Sequence, residues 1–316
     1  RLVRFKFTSD YGGEIFTEVV VHIEHAFPEG TTPTPAPVFV MPTSTPGGSF
    51  PPTSTVSSGP ILPTPTNTPT PTPTPTATPA AVPMEGNLWT WGENTAGQLG
   101  DARLSQAIQL RRIPTQTSTD ATDWTTIAGG MAHTVALNSD GTIWSWGKGE
   151  SGQIGDGILG GEDRNTPTQE STGATNWTII AAGCRNSHAI KSDGTLWGWG
   201  SNSDGQIGVG DLDFHRPSPT QETTGATNWT AIAVGCPHTH GLKSDGTVWS
   251  WGENAYGALG DGTTTRRLTP TQETTGATNW TVIAAGQFHT IALKSDRTLW
   301  GWGINGNGQL GDGTAT

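Results

Sequence analysis

The chain has 316 residues, with 27 acidic and 16 basic side chains and a formal net charge of −11. This acidic balance argues against nucleic acid and anionic membrane surfaces as partners, because both attract basic proteins. No stretch contains 18 consecutive apolar residues, so we expect no membrane-spanning helix, and two cysteines are too few to fix the redox compartment.

The first predicted element is a β-hairpin in the segment 1–27. The sequence opens at Arg1 without a signal peptide, so we expect a processed form or a fragment. Two runs, 1–8 and 14–24, alternate apolar and polar side chains, and a Ser-Asp-Tyr-Gly-Gly turn separates them. An isolated hairpin is marginally stable in water. We therefore expect it to pack on a preceding domain, on the C-terminal domain or on a neighbouring copy.

The second segment, 28–83, is a predicted extended linker that holds 17 of the 23 prolines. Alternating Thr and Pro favour polyproline II, which would span on the order of 170 Å at full length. Stalks rich in Thr and Pro are typical carriers of O-glycans outside the cell, although an unmodified linker fits the composition equally well. The candidate glycan acceptors are Thr64, Thr66, Thr68, Thr70, Thr72, Thr74 and Thr76.

The third segment, 84–316, is a repeat built on the phrase Trp-x-Trp-Gly. The phrase recurs at steps of 55, 53, 52 and 51 residues. Tryptophans at i and i+2 lie on one face of a strand, and rings of this size bury well only against a matching neighbour. A period near 50 with short strands and Gly turns favours a propeller. The phrase contains Trp89, Trp91, Trp144, Trp146, Trp197, Trp199, Trp249, Trp251, Trp300 and Trp302.

Each unit also carries a Ser-Asp-Gly turn between two apolar strands. Asp-Gly in this setting is a strong hairpin signal, because Gly adopts the positive φ that a type I′ turn requires. In the last unit Arg297 replaces the Gly, so we expect a different or strained turn there. No stretch shows helical periodicity, and the unit is predicted to be strand, strand, tight turn, strand and Gly-rich loop.

Two longer phrases identify a family resemblance over residues 84–316. Trp-x-Trp-Gly-x-Asn-x-x-Gly-Gln-Leu-Gly-Asp-Gly and Gly-x-x-His-Thr-x-Ala-Leu resemble the regulator of chromosome condensation repeats. The resemblance implies an all-β fold, a β-propeller of four-stranded blades that is commonly seven-bladed. This stretch holds four full units and a partial fifth, whereas seven would need about 360 residues. We expect further sequence or another copy to complete the ring, or an open arc whose unpaired edges favour self-association.

Cysteine and histidine recur in two neighbouring units at the start of a predicted strand. Cys184 and His188 lie in one unit, and Cys236 and His240 occupy the same places in the next. Strand alternation puts each pair on one face, and adjacent blades would bring those faces together. Three interpretations stay open: a Cys184–Cys236 disulfide, a metal site, and small apolar fillers near the axis. Because the spacing matches no familiar zinc signature, no metal or cofactor is predicted.

The loops between repeats differ from one another and are the predicted recognition surface. They span 102–113, 158–165 and 210–216. The candidate contact residues are Arg103, Arg111, Arg112, Asp163, Arg164, Asp213 and His215. No nucleophile elbow, zinc-protease motif or phosphate-binding loop occurs, so we predict no catalytic residues and no enzyme.

These observations favour a non-enzymatic extracellular or cell-surface module, a propeller displayed on a glycosylated Thr/Pro stalk. Its expected partners are a protein or glycan ligand and further copies of itself, bound through propeller edges or the hairpin, with self-assembly into surface filaments as one form. The resemblance implies two alternatives. One is a secreted propeller that binds and inhibits an enzyme, and the other is a nucleotide-exchange regulator of a small GTPase.

Overall fold

A computed structural model shows that the chain is all-β, as the repeat predicts. The described residues are 2–8, 16–22, 87–103, 110–119 and 121–315, the first two ranges as backbone alone. They contain no helix, and so none long and apolar enough to cross a membrane. The predicted linker, 28–83, and its candidate glycan acceptors lie outside the described residues.

The two N-terminal strands pair as the alternating runs predict. β1 (Leu2–Thr8) and β2 (Phe16–His22) are antiparallel, with Leu2 opposite His22 and Thr8 opposite Phe16. The Gly-Gly turn between them lies outside the described residues.

From Trp89 onward the described chain forms five successive antiparallel sheets. The first consists of β3 (Trp89–Glu93) and β4 (Leu110–Gln116). The second consists of β5 (Trp124–Gly129), β6 (His133–Asn138), β7 (Ile143–Gly147) and β8 (Arg164–Gln169). The third consists of β9 (Trp177–Ala182), β10 (Asn186–Lys191), β11 (Leu196–Ser201) and β12 (His215–Gln221). The fourth consists of β13 (Trp229–Val234), β14 (His238–Lys243), β15 (Val248–Gly252) and β16 (Arg267–Gln272). The fifth consists of β17 (Trp280–Ala285), β18 (His289–Lys294) and β19 (Leu299–Gly303).

These sheets are the blades of a propeller, and we number them one to five. In each four-stranded blade the strands follow one another as a meander, here named a to d. The a strands β5, β9, β13 and β17 contact one another from blade to blade, so strand a is innermost and strand d outermost. The predicted fold class, a propeller of four-stranded blades, is confirmed.

The Ser-Asp-Gly turns join strands b and c, as predicted. Gly246 has a φ of +77°, and a Cβ there would lie 2.1 Å from the Thr278 carbonyl oxygen of the next blade, so no side chain fits. In the fifth blade Arg297 adopts a φ of +70° and its N–H donates to the Lys294 carbonyl, as Gly246 does to Lys243. The last turn therefore keeps its geometry at the cost of a strained residue.

The hydrophobic core lies between blades. The apolar residue that precedes each Trp-x-Trp phrase packs against the tryptophan that opens the next blade. Val248, for example, is fully buried with Trp280, whereas Leu299 at the same place in the fifth blade is 69% exposed. Of the last two phrase tryptophans, Trp300 is 45% exposed, but Trp302 packs on blade four.

A buried carbonyl ties each blade to its successor. The Gln206 carbonyl, in the loop of blade three, accepts from Trp251 Nε1 at 2.9 Å and from Thr239 Oγ1 at 2.9 Å, both in blade four. An equivalent pair, the second tryptophan of the phrase and a Thr or Ser hydroxyl, donates to the carbonyls of Gln98, Gln153 and Ala258. The second tryptophan of the phrase is thus a buried donor as well as a core residue, which satisfies polar groups that would otherwise be costly to bury.

A buried glutamate stabilises the connection from strand d to the next strand a. Glu222 accepts from Trp229 Nε1 at 3.1 Å, from the Thr224 hydroxyl at 2.8 Å and from the Thr224 amide at 2.6 Å. Glu170 and Glu273 bind in the same way. Thr117 stands at this place before blade two, and there Trp124 Nε1 is buried with no hydrogen-bond partner among the residues that the structure describes.

We expect Glu222→Thr to lower the free energy of unfolding by about 2–3 kcal/mol, because it leaves Trp229 Nε1 and the Thr224 amide without an acceptor. The reciprocal change Thr117→Glu should raise it by about 1 kcal/mol, because it places a carboxylate acceptor beside Trp124 Nε1, as in the later blades. Urea titrations followed by tryptophan fluorescence measure both changes. The two changes in unfolding free energy should have opposite signs; a destabilising Thr117→Glu would contradict the role assigned to this glutamate.

Candidate functional site

A column of His and Asn side chains recurs at the start of strand b from blade to blade. The first residue of strand b is His133, Asn186, His238 and His289 in blades two to five, and the first three are fully buried. A Cβ added to Gly235 would lie 2.5 Å from the His238 ring and 2.8 Å from the Gly286 carbonyl oxygen of the next blade. The Gly-x-x-His spacing is therefore a packing motif between blades.

Hydrogen bonds fix the tautomers of two buried histidines, His133 of this column and His240, which lies two residues after His238 on β14. The Ser187 hydroxyl donates to the Gln153 carbonyl, so it accepts from Nε2–H of His133 at 2.9 Å. The Thr290 hydroxyl likewise donates to Ala258 and accepts from Nε2–H of His240 at 2.7 Å. Each ring is thus bound as the neutral Nε2–H tautomer.

Burial keeps four histidines uncharged: His133 and His238 of this column, and His188 and His240 on the same strands as column residues. It lowers the pKa of His133 and His238 from 6.5 to about 4, and that of His188 to about 3. The pKa of His240 also lies well below 6.5, because of burial and the nearby His238. Desolvation penalises the imidazolium form, so all four are neutral at physiological pH.

The two cysteines join blades three and four. Cys184 and Cys236 lie in the loops between strands a and b, and they form a disulfide with a Cα–Cα distance of 4.8 Å. They are therefore not unpaired apolar fillers. Nor do they form a metal site with His188 and His240. Both sulfurs are bonded, His188 Nε2 donates to the Gln206 carbonyl, and His240 lies between Ser250 and Thr290. Nowhere in the described ranges do three His, Cys, Asp or Glu side chains form a metal-binding group.

We expect the double variant Cys184→Ala/Cys236→Ala to lose about 2–4 kcal/mol of unfolding free energy, since the bond spans 52 residues and constrains the unfolded chain. Urea titrations with and without dithiothreitol measure the effect. The wild type in reductant should match the variant, and the variant should not respond to reductant. A wild type of equal stability in both buffers would contradict a stabilising bond.

Arg111 and Arg164 bind within their own blades. Arg111 Nε lies 2.7 Å from Asp101, and Arg164 Nη2 lies 2.6 Å from Asp156. Arg216–Asp211 and Arg267–Asp261 are the corresponding pairs in blades three and four. The first arginine of strand d therefore anchors the Asp of the Gly-Asp loop. This repeated contact is a structural role that we did not predict for these arginines.

The other predicted contact residues differ in exposure. Arg103 and Arg112 are exposed, and the Arg103 amide donates to Asp101. Asp163 is half-buried and accepts from the Gly149 amide, whereas Asp213 pairs with Arg216 at 2.7 Å. His215 is half-buried at the start of β12.

The loops at the two edges of the blades differ in how closely their sequences repeat from blade to blade. Loops a–b and c–d share one edge, as the bond from the Lys148 amide to the Ala132 carbonyl shows, and we call this edge the loop face. The opposite edge, the turn face, repeats Thr-Gly-Ala-Thr-Asn at 172–176, 224–228 and 275–279. Loop-face segments vary between blades. Within the described parts of blades two to four, they also carry exposed large apolar residues: Met131, Ile158, Leu159, Leu212, Phe214 and Tyr256.

Comparison with known proteins agrees with this architecture. The model of the family described as "RCC1-like domain" matches residues 76–316. The chain is 32% identical over 234 residues to the ultraviolet-B receptor UVR8 of Arabidopsis thaliana, covering 73% of this chain and 52% of that protein. It is 28% identical to the human E3 ubiquitin-protein ligase HERC2, covering 73% of this chain and 5% of the ligase. The chain thus spans about half the length of the first relative and a small part of the second.

Solved structures show the same fold. Human WBSCR16 superposes with a TM-score of 0.65 at 24% identity, over 72% of this chain and 60% of that one. Prp20p of Saccharomyces cerevisiae, described with its binding to Gsp1p and histones, gives 0.61 at 26% identity, over 71% and 55%. The repeat phrases, the four-stranded blades and these matches lead to one conclusion: the chain belongs to the RCC1-like domain family.

Proposed function

We propose that the propeller is a non-enzymatic protein-interaction module whose loop face binds its partner. The observation that carries this proposal is the difference between the two faces. In the described blades, sequence variation and exposed large apolar side chains occur on the loop face, whereas the turn face repeats almost unchanged. Concentrated exposed apolar surface is typical of an interaction site. The relative Prp20p, described with binding to other proteins, supports the same class of function.

The absence of catalysis is part of the proposal. The match to HERC2 covers only 5% of that ligase, so the ligase name gives no reason to assign its chemistry to this domain. The buried histidines are bonded within or between blades, or lie out of reach of solvent, which leaves them unsuited to act on a substrate.

The test uses the full chain as bait on extracts of the source cells and their medium. A loop-face variant, Met131→Ser/Tyr256→Ser, should lose proteins that the wild type retains. The matched control Thr172→Ser/Thr275→Ser alters the turn face and should retain them. Equal capture by all three proteins would contradict a role for the loop face.

We also propose display outside the cell on the Thr/Pro segment, with O-glycans on its threonines. The disulfide between blades three and four supports this location, since such bonds persist in oxidising compartments. Intact mass of the protein from its source should show hexose increments. A single unmodified mass, or free thiols at Cys184 and Cys236, would count against it.

Self-association through the fifth blade belongs to the same proposal. The sheet of this blade, β17–β19, exposes Val282, Leu299 and Trp300, which are 53%, 69% and 45% accessible. Apolar surface of this kind favours contact with another blade. Light scattering should report oligomers, and electron microscopy should show whether they extend into filaments. A strictly monomeric species would contradict this part of the proposal.

A regulator of a small GTPase is the second candidate, favoured by the description of Prp20p with binding to Gsp1p. A nucleotide-release assay with fluorescent GDP on a purified small GTPase separates the two. Faster release in the presence of the full chain would favour the regulator over a pure binding module.

A further inference from the structure

We propose that one part of the loop face, where blades two and three meet, is a docking site for a basic polypeptide segment that carries apolar side chains. This inference rests on the proposed interaction function and names the partner chemistry. We call the site the rim patch, defined by Ile158, Leu159, Leu212 and Phe214. Their exposed fractions are 50%, 51%, 43% and 69%.

Folding does not require apolar residues at these places. The corresponding c–d loop of blade four carries three consecutive threonines, 263–265, after Gly-Asp-Gly, where blade two has the same phrase and blade three has Gly-Val-Gly. That loop forms the same Arg–Asp ion pair, Arg267 with Asp261. Exposed isoleucine, leucine and phenylalanine in blades two and three therefore contribute little to their own loops, and a bound partner would bury them favourably.

Backbone contacts hold the two loops of the patch together. The Gly157 amide of blade two donates to the Pro217 carbonyl of blade three at 2.9 Å. Nearby, the hydroxyls of Ser171 and Ser218 bond at 2.9 Å. The Asn202 amide donates to the Phe214 carbonyl at 2.8 Å. A patch with its backbone fixed in this way loses little entropy on binding, which raises affinity.

The charge around the patch selects a cationic partner. Five carboxylates lie in the two loops, those of Asp156, Glu162, Asp163, Asp211 and Asp213. The two guanidiniums there are already bound, Arg164 to Asp156 and Arg216 to Asp211 and Asp213. The Asp213 side chain stays 74% exposed and Glu162 is exposed, so the rim presents net negative charge to an incoming chain. The Phe214 ring adds an aromatic face that attracts Lys or Arg.

Fluorescence anisotropy with three labelled 12-residue peptides tests the proposal on the full chain. The first peptide alternates Lys with Leu and Phe, the second replaces Lys by Glu, and the third replaces Leu and Phe by Ser. We expect the wild type to bind the first at least about tenfold more tightly than either other peptide. Equal binding of the acidic peptide would overturn the cationic assignment, and equal binding of the Ser peptide would overturn the apolar one.

The variant Ile158→Thr/Leu159→Thr/Leu212→Thr/Phe214→Thr copies the loop of blade four and should weaken binding about tenfold or more. Tyr256→Thr, on the loop face of blade four, is the matched control and should bind as the wild type does. Asp213→Asn/Glu162→Gln should weaken binding several-fold and reduce its dependence on salt. Near-ultraviolet circular dichroism checks that each variant is folded.

The outcomes separate this inference from the broader proposal. Loss of peptide binding in the rim variant, with the control intact, supports both. If the rim variant binds the peptide like the wild type while capture of partners still depends on Met131 and Tyr256, the rim patch is wrong and the interaction function stands. If capture is independent of every loop-face substitution, the proposed function fails as well.

Discussion

Acidification from pH 7.5 to pH 4.5 should remove most of the stability of the propeller. Burial lowers the pKa of His133 and His238 to about 4 and that of His188 to about 3. Below pH 6.5, the ordinary pKa of histidine, these side chains become protonated in the unfolded chain but stay neutral in the folded one. The free energy of unfolding therefore decreases as the pH falls. The stabilisation is fully present above pH 6.5 and is lost as the pH falls towards 4. At pH 4.5, each histidine accounts for a loss on the order of 2 kcal/mol of unfolding free energy.

The size of this effect is decisive because a domain has only about 5–15 kcal/mol of net stability. His240, whose pKa also lies well below 6.5, adds to the loss. The aspartate whose pKa is lowered by its turn contributes little to the change in stability over this pH range. Hydrogen bonds from Thr247 lower the pKa of Asp245 below 3.8, so the stability that it contributes is lost only below that range.

Urea titrations at pH 4.5, 5.5, 6.5 and 7.5 measure the dependence. His133→Asn is the informative variant, because Asn186 occupies the same place in blade three and shows that the column accepts asparagine. It should reduce the slope of unfolding free energy against pH by close to one proton between pH 6 and 5. Thr172→Ser, on the turn face, removes no titratable group and is the control, which should leave the slope unchanged. Identical slopes for the wild type and His133→Asn would show that this histidine does not set the acid limit.

The blade architecture could be predicted from the sequence because its signals are local. Trp-x-Trp-Gly and Ser-Asp-Gly each specify a strand or turn within a few residues, and their recurrence specifies the array. The ion pairs of Arg111 and Arg164 were missed for the opposite reason. Their partners lie ten and eight residues earlier, across loops of different length, so no fixed spacing marks the pair. Long-range partners of this kind follow from the fold rather than from a motif.

The cysteines illustrate the same limit. Their places in neighbouring units predicted that they would approach each other, but spacing alone could not separate a disulfide from a metal site. The decision depends on distances between blades. A Cα–Cα distance of 4.8 Å suits a disulfide, and the nearby histidines already have partners in the strands and loops around them. The rim patch, too, could not be predicted from the sequence, because Leu and Phe are usually core residues. Only the solvent exposure of their side chains in the structure distinguishes them from the core.

The second large effect concerns the two tryptophans of one Trp-x-Trp-Gly phrase, for which the sequence pattern predicts the same role. Trp251→Ala should lower the free energy of unfolding by about 3–5 kcal/mol, because the ring is fully buried between blades. Trp249→Ala should cost about 1–2 kcal/mol, since that ring is only half-buried, at the edge of the core that contains Trp229, and lies 4.0 Å from Lys243 Nζ.

Trp251→Phe separates packing from hydrogen bonding within the larger effect. It keeps a buried ring near Trp229 but removes the Nε1–H that donates to the Gln206 carbonyl at 2.9 Å. That carbonyl keeps its bond from Thr239, so the loss should be about 1–2 kcal/mol, well short of the alanine variant. Urea titrations followed by far-ultraviolet circular dichroism avoid the changed fluorescence. Equal losses of unfolding free energy in Trp249→Ala and Trp251→Ala would contradict this account. Neither the burial of Trp251 nor its hydrogen bond to the Gln206 carbonyl could then be what couples one blade to the next.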